Sequence, residues 1–76
     1  MKDLVVEIVR ALVDQPEAVS VNEIESNQTS VLEVSVAKTD IGKVIGKHGR
    51  TAQAIRTILS AAAGKRRKRY ILEIID

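Results

Sequence analysis

Two alternating segments, and what lies between them, constrain this chain most. In VLEVSVAK, residues 31–38, Leu32, Val34 and Val36 fall on one face and Glu33 and Ser35 on the other. A period of two marks a half-buried strand. In YILEIID, residues 70–76, Tyr70, Leu72 and Ile74 share a face in the same way. Between them, IGKVI (41–45) and RTAQAIRTILSAAA (50–63) read as helices, the second stopped by Gly64. Strands joined by so long a connection pair in parallel, through a right-handed crossover.

The upstream residues complete the topology. Asp3 is placed to cap a first helix, in which Leu4, Val5, Ile8, Val9 and Leu12 recur at helical spacing, and Pro16 ends it. AVSVNEIE alternates at Val19 and Val21, then slips phase at Ile24, which marks either a bulge or the strand's end. The turn residues SNQTS make an antiparallel hairpin with the next strand. Thr39 and Asp40 offer an N-cap to IGKVI. The predicted order is α-β-β-α-α-β in one domain spanning 1–76. This is an α+β fold, with a three-stranded mixed sheet and helices on one face.

A chain of 76 residues buries only about 60% of its unfolded surface, so self-association would help it. With no cysteine it has neither disulfides nor a thiolate zinc site, and its single histidine makes a metal centre improbable. No cofactor is expected. Asp3, Glu7, Arg10 and Asp14 interrupt the apolar N-terminal stretch, which therefore reads as an amphipathic helix and not as a signal peptide. No segment is apolar enough to span a membrane, and a cytoplasmic protein is expected. Charge is divided unevenly. Residues 1–37 carry two basic and seven acidic side chains, whereas residues 38–76 carry ten basic and three acidic. The second half is built to face an anion.

DIGKVIGKHGR, residues 40–50, supplies the most pointed chemistry. Gly42, Gly46 and Gly49 interrupt a run otherwise suited to helix, where each glycine costs about 1 kcal/mol relative to alanine. A phosphate-binding P-loop needs four residues between its first glycine and Gly-Lys-Ser/Thr. Here three separate Gly42 from Gly46, and His48 follows Lys47. The dinucleotide fingerprint Gly-x-Gly-x-x-Gly is absent as well. Read instead as a hinge between two helices, GKHG reverses the chain and strips side chains from a surface at a helix start. Lys43, Lys47, His48 and Arg50 surround it with cationic donors. A phosphodiester backbone fits both features. No nucleophile–base pair or carboxylate cluster accompanies the loop, so an enzyme is not expected. If His48 binds phosphate as imidazolium, affinity should rise as pH falls.

VIGKHGRTAQAI resembles the Ile-Gly-x-x-Gly signature of the KH domain, in its type II helix–strand order. The stand-alone length and AIRTILSAAAGK resemble the KhpA family of small bacterial RNA-binding proteins. The resemblance implies that Gly46, Lys47, His48 and Gly49 clamp a single-stranded RNA backbone while about four bases lie in an adjacent groove. It implies a helical wall of Ile41, Val44, Ile45 and Ala52. Ala52 replaces the usual bulky aliphatic, so either the groove floor is shallower or Ile55 fills the role. On the far side, Lys65, Arg66, Arg67, Lys68 and Arg69 would catch phosphates. The lack of Phe and Trp agrees, since modules that read RNA by stacking need aromatic platforms. The resemblance also implies a post-transcriptional regulator or RNA chaperone that forms homodimers and pairs with a larger KhpB (Jag)-type KH protein. Ala54, Ile55, Ile58, Leu59 and Ala62 lie along the long helix either as a dimer seam or as ordinary packing on the sheet.

Overall fold

The computed structural model describes residues 1–64 and 68–75. Helix α1 spans Lys2–Leu12, strand β1 Ser20–Glu25, strand β2 Thr29–Ser35, helix α2 Ile41–Ile45, helix α3 Arg50–Ala63 and strand β3 Arg69–Ile75. The predicted element order is the observed one, and so is the mixed sheet. β1 and β2 are antiparallel, β2 and β3 are parallel, and β2 is central. Single 3-10 turns at Pro16–Ala18, Lys38–Asp40 and Lys47–Gly49 shape the connections.

Alternation decides which face is covered. Val21, Leu32, Val34 and Leu72 point to one side, where they meet Val5 and Val9 of α1, Val44 of α2, and Ile55 and Leu59 of α3. Burying each of these aliphatic side chains contributes about 1.5–3 kcal/mol. The opposite face is uncovered, and its central row runs Ile24–Val31–Ile71 across the three strands. The phase slip at Ile24 is neither a bulge nor a strand end. Pairing continues unbroken from Ser20↔Ser35 to Glu25↔Ser30, and Ile24 sits on the uncovered side. The hairpin is closed by Ser26, whose amide and hydroxyl both donate to the Thr29 carbonyl at 2.8 Å. The one polar side chain fully inside the sheet layer, Ser30, donates to Glu23 at 2.7 Å.

Several boundaries differ from expectation, each for a local reason. Met1, not Asp3, occupies the N-cap of α1, and Asp3 lies in the first turn, where its charge favours the helix dipole. The helix stops at Leu12 because Val13 is already extended, so Pro16 opens a separate 3-10 turn instead of ending α1. Asp40 makes no capping hydrogen bond to α2. Strand β2 covers 29–35 instead of 31–38, and β3 covers 69–75. Among the described residues no helix is long and apolar enough to cross a membrane.

Candidate nucleic-acid interface

The three glycines of the loop have three different reasons to be there. Gly46 adopts φ 77° and ψ 169°, and a β-carbon on it would overlap the side chain of Thr51 in the first turn of α3. Its smallness serves the helix-to-helix joint. Gly49, at φ 73° and ψ 12°, is the left-handed residue from which α3 starts, and nothing lies within 4 Å of the position of a β-carbon. Gly42 has no such conformational need. It is inside α2, and the space beyond it is also open. At about 100° per residue, it lies nearly opposite Val44, which is fully buried. The bare backbone at Gly42 and Gly49 thus faces solvent.

His48 is the only non-glycine residue with positive φ among those described, at φ 58° and ψ 25°. That conformation turns its side chain outward, and Lys47, His48 and Arg50 are all exposed. The loop is tied by two short-range bonds, Gly46 N–H to the Gly42 carbonyl at 2.8 Å and Gly49 N–H to the Gly46 carbonyl at 3.1 Å. It is a small cationic corner with little side-chain bulk above its main chain.

Lys43 does not belong to that corner. The same helical arithmetic puts Lys43 and Ile45 on opposite flanks of α2. Lys43 turns toward the α1–β1 connection, where it bonds Asp14 and lies 3.6 Å from Asp40. The hydrogen bond to Asp14 raises the Lys43 ammonium above its ordinary value. Asp40 itself is only 1% exposed and accepts the amides of Asp14 at 3.2 Å and Gln15 at 3.0 Å. Burial alone would push its carboxyl up. The two amides and Lys43 outweigh that and hold it below the usual range. This carboxylate anchors α2 to a segment some 26 residues upstream.

The predicted apolar wall splits in two. Ile45 is 38% exposed and Ile41 half-buried, so both border open space. Val44 and Ala52 are buried and cannot meet a ligand directly, because they join the helices to the core. Along α3, Ala52, Ile55, Leu59 and Ala63 form the buried stripe. Ile55 and Leu59 are therefore core residues and not seam residues, which leaves Ala54, Ile58 and Ala62 exposed. Ile58 is 43% exposed.

The far side of the groove is a cleft of about 440 Å³ between α3 and β3, lined by Arg56, Ser60, Ala63, Gly64 and residues 68–72. Lys68 and Arg69 border it as expected, although Lys68 is shared with Glu25 across a 2.6 Å ion pair. Its hydrogen bond holds the Glu25 carboxyl below the ordinary value. Lys65, Arg66 and Arg67 lie outside the described residues. Arg56, Ser60 and Tyr70 carry no sequence signal for this site. Only the parallel docking of β3 beside α3 brings them together.

Three relatives and one family profile match this geometry's sequence. Residues 2–74 match the profile of the KhpA/KhpB KH domain. A protein of Caldanaerobacter subterraneus subsp. tengcongensis, named RNA-binding protein KhpA, is 59% identical over 75 residues, which is 99% of this chain and 100% of the relative. Proteins of the same name from Clostridium perfringens and Treponema pallidum are 52% and 51% identical, again over 75 residues. Those alignments cover 99% of this chain, with 100% of the first relative and 94% of the second.

Proposed function

Since this chain belongs to the KhpA/KhpB family of KH domains, we propose that it is a non-catalytic RNA-binding protein that grips single strands by their sugar–phosphate backbone. The observation that carries this reading is the open space over Gly42 and Gly49 beside the exposed Lys47, His48 and Arg50. Backbone atoms of the ligand can approach these positions without meeting a β-carbon, and phosphates then lie within reach of three cations. Bases pass over Ile41 and Ile45 toward the cleft between α3 and β3. Gly46 and Gly49 shape the clamp, while Lys47 and His48 supply its donors. In the cell such a grip suits a post-transcriptional regulator or RNA chaperone.

A second activity on another surface accompanies it. Ala54, Ile58 and Ala62 give α3 an exposed apolar strip, which fits pairing with a second copy or with the KH domain of a KhpB-type protein. The deciding experiment replaces Lys47 and His48 by aspartate, a residue that tolerates the left-handed conformation of position 48. Folding is checked by circular dichroism and binding by titration with short single-stranded RNAs. Binding should weaken, and the log–log salt slope should flatten by about 0.7 for each phosphate that the protein no longer neutralises. A folded double variant that binds RNA like the parent would refute the clamp and leave pairing as the main role.

A further inference from the structure

Strand β3 is the last in the sheet, so one of its edges has no strand partner. The Arg69 amide donates to the Gln28 carbonyl at 2.8 Å, which directs the main-chain groups of residues 69, 71, 73 and 75 toward β2. Those of Tyr70, Leu72 and Ile74 therefore face the open edge. Arg56, on the flank of α3 beside this edge, places a guanidinium nitrogen 3.5 Å from the Leu72 carbonyl oxygen. That hydrogen bond occupies the acceptor a base would otherwise meet there. It engages one of the five N–H groups on the guanidinium fork. At about 440 Å³ the cleft falls within the usual range for small-ligand sites, and Tyr70, the sole aromatic residue, contributes to its lining.

From this arrangement we propose that Arg56 is the specificity-determining residue of the groove, and that it selects a base presenting two adjacent hydrogen-bond acceptors. The inference rests on the RNA-binding reading above and names what that site prefers. A guanidinium fork offers donors only, in a fixed planar geometry. Guanine meets it with O6 and N7, the commonest specific arginine contact. Cytosine meets it with O2 and N3. Adenine sets its amino group beside each ring acceptor, and uracil separates its two carbonyls by an N–H, so both leave a donor facing a donor. Lysine cannot replace the fork, because its ammonium is a single point charge. If Arg56 merely shielded an open strand edge, base identity would make no difference.

The test uses the full chain and fluorescently labelled hexanucleotide RNAs: hexa-adenylate, and the same strand with one central guanine, cytosine or uracil. Affinities are measured by anisotropy at low salt for the parent, Arg56→Lys and Arg56→Gln. The parent should bind the guanine and cytosine strands roughly 5- to 150-fold more tightly than the other two. Arg56→Lys should bind all four alike, near the parent's affinity for hexa-adenylate and with an unchanged salt slope. Arg56→Gln, which lacks the charge, should also lose the preference. Equal binding of the four strands by the parent would overturn the assignment, as would a preference that survives in the lysine variant. A parent that binds no strand at all would instead overturn the RNA-binding reading itself, and the assignment with it.

Discussion

Gly42 separates the demands of folding from those of ligand binding. It sits inside α2 with no left-handed torsion, and a β-carbon placed there meets no atom within 4 Å. Gly42→Ala should therefore stabilise the free protein by ~0.4–1 kcal/mol, chiefly by narrowing the unfolded ensemble. For a domain of this size, each kcal/mol moves the melting temperature by about 4–8 °C, so the gain is roughly 2–8 °C. The same methyl group projects into the space through which the RNA backbone approaches. Accommodating a misplaced methyl costs about 1 kcal/mol or more, which is a loss of affinity of about fivefold or greater. Thermal denaturation and RNA titration on one preparation measure both numbers. Gly46→Ala is the opposing control. Its φ of 77° and the overlap with Thr51 make it destabilising, by about 1–3 kcal/mol for the backbone strain alone. A Gly42→Ala protein that is more stable yet binds RNA as tightly as the parent would refute the idea that this glycine exists for ligand approach. A destabilised one would refute the open space.

Two further outcomes follow from neighbouring features. Leu59→Ala removes a fully packed core side chain and should cost about 2–5 kcal/mol by urea denaturation, whereas Ile58→Ala should stay within ~0.5 kcal/mol and instead shift sedimentation toward the monomer. The carboxyl of Asp40 is held below its ordinary value of 3.8, so its contribution is fully present above that pH and is lost as pH falls from there through the folded-state value. Asp40→Asn should be less stable at neutral pH and show a flatter loss of stability below about pH 4.

The alternating strands and the paired glycines are legible in the sequence because their signals are local. Leu32, Val34, Leu72 and Ile74 declare their face within a few residues, and Gly46 to Gly49 mark a joint by composition alone. Helical periodicity also contains the stripe Ala52–Ile55–Leu59–Ala63, which assigns Ala52 to the core. The family pattern draws Ala52 and Val44 toward the groove instead. Asp40 and Lys43 mislead for a different reason. Asp40 stands where an N-cap would stand, and Lys43 stands beside a cationic loop, yet both are engaged by Asp14 and Gln15 across some 25–30 residues of sequence. No local rule reports a partner at that separation. Arg56 is silent in the same way, because its meaning depends on the free edge of a strand that begins thirteen residues later.

That strand pairing has a bearing on biosynthesis. Leu32 finds its neighbour in Leu72, forty positions further along, and the wall opposite the glycine joint is made by the same late segment. A growing polypeptide emerging from the ribosome displays its cationic joint well before it owns a complete trough. Until residues 69–75 are synthesised and docked, the nascent molecule can attract the phosphates of nearby transcripts but has no second wall to hold their bases.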